Sequence, residues 1–299
     1  MNLKNLILIA FAFIMTSSVF AQGNILNAKT PDEMFEITEE QKANDNDEPL
    51  PYGYVEKRDV LWSKNTWEVV DLDERVNFPL YYPIDTINIG SDRRSLYQVL
   101  MKNIKNGTID AIYDDSYFTN KITLDDISAA LVVTDTADDG FRELNEGLPI
   151  SDYNIETKTI TAQDINAYHM RGYWYVDKRQ GELKYRLLGI APVSTDINFI
   201  GSEDEFGQEP LELFWVWFPG AREVLHKAKA FNRKNTSMPI SFDHLLNSRR
   251  FNGTIYKEDN VQGDRRVSGY INNNAMMQLL ESTRIKESIR NLEQDLWNY

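Results

Sequence analysis

Arg58-Asp-Val-Leu-Trp-Ser-Lys-Asn-Thr-Trp-Glu-Val-Val-Asp-Leu-Asp-Glu-Arg-Val-Asn-Phe-Pro-Leu-Tyr-Tyr-Pro83 contains two of the six tryptophans of this sequence. Within it, Trp67, Val70 and Glu74 recur at helical spacing, and Ser63 precedes them at a position suited to an N-cap. The pattern predicts a core helix, which the prolines near the end of the stretch limit. An exposed binding face is the alternative, because large aromatic residues dominate interfaces as well as cores.

The same order of helix, glycine and strand is predicted in both halves of the chain. In the first half, Ser91 or Asp92 can cap a helix that ends at Gly107, and a strand follows over residues 108–113. The serine, apolar and glycine positions of this unit recur 146 residues later, where Gly253 occupies the glycine position. We interpret the halves as diverged copies of one α+β unit. Chance similarity between two helix-to-strand joints is the alternative, since glycine is common after helices.

Further strands and a helix are predicted in the second half. Residues 173–176 and 183–188 flank a polar loop with Gly181 and predict a hairpin. Residues 211–218 are apolar on both faces for most of their length, which predicts a covered central strand. A helix is then predicted over residues 221–231.

The closing segment, residues 275–297, predicts a long helix with an apolar stripe of Ile285, Ile289, Leu292 and Leu296. In the first half, Thr123 is predicted to cap another helix. The predicted fold class is therefore α+β, with two possibly related helix-strand units, mixed sheets and a long C-terminal helix.

The N-terminal region has the features of an export signal followed by an acidic arm. A positive start, an apolar run and small residues before position 22 predict a signal peptide over residues 1–21, cleaved after Ala21. Residues 22–50 are acidic and poor in large apolar residues, which predicts a flexible arm. The remaining chain is predicted to form a first α+β unit over 51–150 and a second over 151–299, with the C-terminal helix.

Composition excludes several classes of chemistry. The chain has no cysteine, so disulfides, thiolate metal sites and an acylated N-terminal cysteine are excluded. A net charge of −14 argues against nucleic acid and bare anionic lipid as main ligands. The three histidines, at positions 169, 226 and 244, are scattered, and no phosphate-binding glycine loop occurs. We therefore predict no metal and no cofactor, whereas the residues alone leave an enzymatic activity open.

Two local charge patterns leave alternatives open. Asp135–Glu146 has acidic residues at several positions of a calcium loop, but Ala137 stands at a ligand position, so an acidic turn is the preferred interpretation. Residues 222–234 carry five basic residues and one acid on an otherwise acidic chain. This segment could dock an acidic partner, although a solvated helix face is the more usual explanation.

Several stretches of the sequence resemble the family called GldN or PorN, a component of bacterial gliding motility and type IX secretion. The similar stretches span nearly the whole mature chain and comprise residues 60–83, 188–192, 213–219, 231–235, 255–260, 280–287 and 295–297. The resemblance implies a non-enzymatic structural subunit of a periplasmic ring below the outer membrane. It also implies two partners, the outer-membrane lipoprotein GldK or PorK and the periplasmic part of the motor protein GldM or PorM. The protein would then be held at the outer membrane through a partner.

Ten aromatic and basic residues are the candidate partner-binding residues. They are Arg58, Trp62, Trp67, Tyr81, Tyr82, Trp215, Trp217, Arg222, Phe231 and Arg233. Two other functions stay open at this point. A secreted glycan-binding module would need exposed, coplanar tryptophans, and a periplasmic glycoside hydrolase would need a cleft with paired carboxylates.

Overall fold

A computed structural model describes residues 47–85, 93–136, 138–147, 149, 151–199, 210–235 and 238–297. The predicted signal peptide, most of the predicted acidic arm and the predicted caps Ser91 and Asp92 lie outside the described residues. The chain divides into Met1–Glu48 and Pro49–Tyr299. Everything described below belongs to the second of these units.

The secondary structure alternates between long strands and short helices. The strands are β1 (Val60–Asp71), β2 (Ile112–Tyr113), β3 (Val132–Thr136), β4 (Ile155–Thr159), β5 (Ile165–Asp177), β6 (Glu182–Thr195), β7 (Pro210–Glu212), β8 (Trp215–Trp217), β9 (Lys229–Ala230), β10 (Ile240–Ser241) and β11 (Thr254–Glu258). The helices are α1 (Phe78–Tyr81), α2 (Leu96–Lys105), α3 (Leu124–Leu131), α4 (Asp138–Asn145), α5 (Phe218–Lys227), α6 (Phe242–Asn247), α7 (Val267–Tyr270) and α8 (Ala275–Trp297). Short 3-10 segments cover Lys57–Asp59, Asp152–Asn154 and Ile197–Phe199.

The main sheet has the strand order β11-β1-β5-β6-β8-β2, and β7 pairs with the end of β6. Every pairing in it is antiparallel. The β5–β6 hairpin forms the centre and confirms the predicted hairpin, with longer strands than the sequence suggested. Two small ribbons, β3–β4 and β9–β10, lie outside this sheet. The predicted α+β class with a long C-terminal helix is confirmed.

One face of the sheet carries the largest hydrophobic core. Its strands contribute Val70, Met170, Leu187, Ile190 and Val216, and helices α2, α5 and α6 cover them with Leu96, Leu100, Phe218, Leu225, Phe242 and Leu246. Alternation along a strand places these residues on one face, so the helices bury a continuous apolar layer.

Helix α8 packs against the β11 edge. Ile285 and Ile289 are buried against Ile255, with Trp62 and Trp174 partly buried beside them. Leu292 and Leu296 are half-buried, so the predicted apolar stripe faces the protein. The bounds of this helix were predicted from the sequence because its apolar spacing is regular over many turns.

The predicted core helix after Ser63 is wrong. Residues 60–71 form β1, which pairs with β5 on one side and β11 on the other. Thr66, Trp67 and Glu68 are all buried, because both faces of this strand are covered. A strand buried on both faces loses the alternation of apolar and polar residues, and its side chains can then match helical spacing by coincidence.

Other elements differ from the predictions in extent. The strand predicted over 108–113 is limited to Ile112–Tyr113, and the strand predicted over 211–218 is divided into β7 and β8. The helix predicted over 221–231 begins earlier, at Phe218, and ends at Lys227, so the exposed Phe231 lies beyond the helix. In the segment Asp135–Glu146, which was compared with a calcium loop, the described residues Asp138–Asn145 form a helix. These residues therefore form neither a calcium loop nor an acidic turn.

Side chains cap three of the helices. The predicted Thr123 cap is confirmed, whereas α2 is capped by Ser95 and not by the predicted Ser91 or Asp92. The Thr123 side chain accepts from the Asp126 backbone N–H, and the Asp126 carboxylate accepts from the Thr123 backbone N–H, forming a capping box. Ser95 caps α2 and Ser241 caps α6, each accepting from a backbone N–H three residues later. These two serines are the equivalent positions of the predicted repeat.

The two halves also share a topology. The order β1-α1-α2-β2 in the first half matches β8-α5-α6-β11 in the second, apart from the inserted β9–β10 ribbon. Each set donates its last strand to the other, because β11 pairs with β1 and β2 pairs with β8. If β1 is exchanged with β8, β2 with β11 and β5 with β6, the strand order reads the same from the opposite edge of the sheet. The order is therefore compatible with a two-fold axis between β5 and β6. Common origin of the halves stays a prediction, and one sheet joins residues on both sides of the boundary predicted at 150.

A buried ion pair ties the centre of β1 to the segment before β11. The Arg249 guanidinium donates to both carboxylate oxygens of Glu68, at 3.0 and 2.8 Å. The Glu68 side chain is 1% exposed. The Arg249 guanidinium carbon also lies 4.2 Å from the centre of the Tyr185 ring. Removing one partner of a buried pair leaves the other charge without compensation.

Glu68→Gln is therefore expected to lower the free energy of unfolding by about 3 kcal/mol, measured by urea denaturation. The matched control is Glu56→Gln, which removes the partner of the exposed Arg58 and should change stability by about 0.5 kcal/mol or less. Equal effects of the two substitutions would show that the Glu68–Arg249 pair does not support the sheet.

Candidate partner-binding surfaces

The structure separates the ten predicted contact residues into core and surface. Trp67 and Trp215 are fully buried, and Arg222 is buried in an ion pair with Asp243 at 2.7 Å. Trp62, Tyr81 and Trp217 are half-buried. Arg58, Tyr82, Phe231 and Arg233 are exposed, and the last three of these line one groove.

The buried tryptophans belong to a cation-aromatic cluster on the sheet face opposite the main core. The Arg171 guanidinium lies 5.1 Å from the Trp67 ring centre and 5.2 Å from that of Tyr117. It also donates to the backbone oxygen of Ser116 at 2.7 Å. The Lys257 ammonium lies 4.2 Å from the Trp67 ring centre. These contacts hold the loop after β2 over the sheet, which is a structural role.

Glu212 has the most extensive set of contacts among the carboxylates near this cluster. It contacts His169 Nδ1 at 2.7 Å and accepts from the Trp215 indole N–H at 2.7 Å, with Arg266 at 3.8 Å. Burial opposes its ionisation, but these groups outweigh burial and hold the pKa of Glu212 below its usual value. A glycosidase general acid needs the opposite shift, a raised carboxyl pKa.

The groove begins at the end of β1, where Asn77 positions α1. The Asn77 side-chain amide donates to the backbone oxygens of Asp71 and Asn252, at 2.7 and 2.9 Å. Its oxygen accepts from the Asn252 backbone N–H at 2.9 Å. A fully buried amide with these partners fixes the start of α1. The aromatic residues that follow are thereby held at the surface.

These aromatics form one wall of the groove, and the segment after β9 forms the other. The Phe78 and Tyr82 rings meet edge to face at 5.4 Å between ring centres. Across from them, the Arg93 guanidinium lies 4.9 Å from the centre of the Phe231 ring. Phe78, Tyr82 and Phe231 are 38%, 48% and 40% exposed. We call this cavity of about 880 Å³ the Phe78–Phe231 groove.

The surroundings of the groove are basic. Arg75, Arg93 and Arg233 line it, with Asp85 as the carboxylate among its described lining residues. An adjoining cavity of about 760 Å³ shares Arg93 and Phe231 and adds four further basic side chains, which are Arg94, Lys102, Lys227 and Lys229. This local charge is opposite to the net charge of −14.

A second apolar surface lies on the first turns of α8. Met276, Met277, Leu279 and Leu280 are between 48% and 66% exposed. We call these four residues the α8 apolar row. Four large apolar side chains together at the surface of one helix are typical of a contact surface.

The α8 apolar row and the groove lie beyond opposite ends of β11. The Ser282 hydroxyl accepts from the backbone N–H of Ile255 near the start of β11, and Lys286 donates to the Gly253 oxygen just before that strand. Helix α8 therefore runs antiparallel to β11, and its first turns lie toward the C-terminal end of that strand. The groove lies beyond the N-terminal end, where α1 follows β1.

Sequence reasoning missed the α8 apolar row and the part played by Phe78 and Arg93 in the groove. The row was visible as a run of large apolar residues outside the core stripe of the long helix. The groove had no comparable signal, because its two walls come from segments far apart in sequence. The basic segment 222–234 indicated one wall, although its first member, Arg222, is buried.

Comparison with known proteins adds family information. A family model described as "Gliding motility associated protein GldN" matches residues 55–298, which is most of the chain. A search of curated proteins finds no match. Among the described residues, none of the helices is both long enough and apolar enough to cross a bilayer.

Stability measurements separate the core residues from the surface residues. Trp215→Ala is expected to lower the free energy of unfolding by about 3–5 kcal/mol, because it empties a fully buried site. Tyr82→Ala should cost about 1 kcal/mol or less, since the ring is half exposed. Chemical denaturation of both variants tests this assignment, and a larger loss for Tyr82→Ala than for Trp215→Ala would contradict it.

Proposed function

The chain belongs to the GldN family of gliding motility associated proteins, and on that premise we propose that it is a non-enzymatic subunit of a periplasmic ring. Members of this family are components of the gliding motility and type IX secretion machinery. In the proposed role, the subunit binds the outer-membrane lipoprotein GldK or PorK and the periplasmic part of the motor protein GldM or PorM. It reaches the periplasm after cleavage following Ala21 and is held at the outer membrane through its partner.

The observation that carries this proposal is the presence of two unlike exposed surfaces near opposite ends of one strand of the sheet. The α8 apolar row and the Phe78–Phe231 groove lie beyond opposite ends of β11 and differ in shape and charge. A subunit of a closed ring needs different surfaces for its two neighbours, because a heterologous contact joins unlike patches. A subunit that bridges an anchor and a motor needs separate surfaces for the same reason.

The two other functions considered from the sequence have less support. Of the tryptophans, Trp67 and Trp215 are fully buried and three others, Trp62, Trp174 and Trp217, are half-buried. A glycan-binding platform would instead use exposed, coplanar rings. For a glycoside hydrolase, Glu212 has its pKa shifted in the wrong direction for a general acid.

The α8 apolar row provides the test of this role. Leu280→Asp places a charge at the centre of the row without touching the core, so it should leave the melting temperature within about 2 °C. It should abolish the large species that the mature chain forms with the lipoprotein, measured by sedimentation velocity of the co-purified proteins. The reason is that burying an unpaired carboxylate in an apolar contact is costly.

The matched control is Asn291→Asp, which adds the same charge at an exposed polar position of the same helix. This variant should assemble like the wild type. Two results would contradict the proposal: assembly of Leu280→Asp to the wild-type size, or a wild-type chain that stays monomeric in the presence of the lipoprotein.

A further inference from the structure

The Phe78–Phe231 groove combines an apolar floor with a cationic rim. Three aromatic rings are between 38% and 48% exposed in a cavity of about 880 Å³. Cavities of this size that expose aromatic rings are typical of sites that take a side chain or a short segment. Within the groove, the Phe78 and Tyr82 rings contact each other and the Phe231 ring contacts Arg93.

The rim of the groove carries basic side chains. Arg75, Arg93 and Arg233 surround the apolar floor, and the adjoining cavity extends the basic surface toward Lys227 and Lys229. Guanidinium groups bind carboxylates with two parallel hydrogen bonds, which gives them geometric specificity for Asp and Glu side chains. A basic surface on a chain of net charge −14 is a local exception that favours a local anionic ligand.

We propose that the Phe78–Phe231 groove binds an extended acidic segment of a partner protein. One apolar side chain of the segment inserts between Phe78, Tyr82 and Phe231. Flanking carboxylates of the segment bind the guanidinium groups on the rim. The adjoining basic cavity receives the continuation of the same segment. This inference rests on the proposed function, to which it adds a specific binding site for one of the partners.

The shape and the overall charge favour a protein segment over an anionic bilayer. A flat membrane surface would face the whole acidic chain and be repelled by it. A narrow peptide contacts the groove alone, and the apolar floor stabilises one inserted side chain by excluding it from water. The acidic remainder of the chain therefore disfavours an extended anionic surface, whereas the groove can still bind a narrow peptide.

A phage-displayed library of random 12-residue peptides, selected on the purified mature chain, tests the proposal directly. The selected peptides are expected to be acidic and to contain at least one aromatic or large aliphatic residue. The best peptide, labelled with fluorescein, should bind in an anisotropy titration, with an affinity that falls as sodium chloride is raised. Selection of neutral or basic peptides, or no enrichment, would overturn the proposal.

Two variants locate the binding site. Arg233→Glu reverses one charge of the rim and should weaken the peptide at least tenfold, and Tyr82→Ala should weaken it at least fivefold. Arg290→Glu makes the same charge change at an exposed position of α8 outside the groove lining and should bind like the wild type. Equal binding by all three variants would place the peptide elsewhere and overturn the assignment.

Binding of the chain to vesicles of phosphatidylglycerol is the competing outcome. If the chain binds these vesicles and Arg233→Glu abolishes that binding while peptides are not selected, the groove is a lipid site and the proposal is wrong. The failure of this proposal is distinguishable from the failure of the ring role. A chain that assembles with the lipoprotein but selects no acidic peptide refutes the groove assignment alone.

Discussion

The structure depends on β1, a strand that is paired on both edges and covered on both faces. Its Trp67 is buried on one face under the side chains of Arg171 and Lys257. The next residue, Glu68, is buried on the other face and paired with Arg249. Burial of opposite faces at two successive residues fixes the register, because a shift by one position would move the Glu68 carboxylate to the face opposite Arg249 and leave both charges of the pair without compensation.

Because the two halves exchange their edge strands, the register of β1 also determines how the halves join in one sheet. β11 comes from the second half and pairs with β1 of the first, while β2 of the first half pairs with β8 of the second. Each half therefore lacks its own outer strand, and both must be present to complete the sheet. The same pairing places α1 beyond one end of β11 and the first turns of α8 toward the other. The two candidate contact surfaces are thus fixed relative to each other by the sheet.

Local features of the fold could be predicted from the sequence, and long-range ones could not. The capping box at Thr123, the central hairpin and the bounds of α8 follow from spacing and turn chemistry within short windows. The helix predicted after Ser63 was wrong because pairing on both edges of β1, which the sequence does not reveal, removes the alternation of a strand. For the candidate site, Tyr82, Phe231 and Arg233 were predicted as contact residues, but that they share one groove depends on the sheet that joins the halves. Trp67 and Trp215 were chosen for the same chemical reason and are buried, since side-chain type alone does not distinguish a core from an interface.

The proposed role makes this chain an assembly subunit attached to the outer membrane through a partner. The most direct measurement is fractionation of membranes from the host, in the wild type and in a strain that lacks the GldK or PorK lipoprotein, with detection of the chain in each fraction. In this role, the chain is expected to sediment with the outer membrane in the wild type and to move to the periplasmic fraction when the lipoprotein is absent. A chain that stays in the periplasmic fraction in both strains, or that remains with the membrane in both, would contradict it.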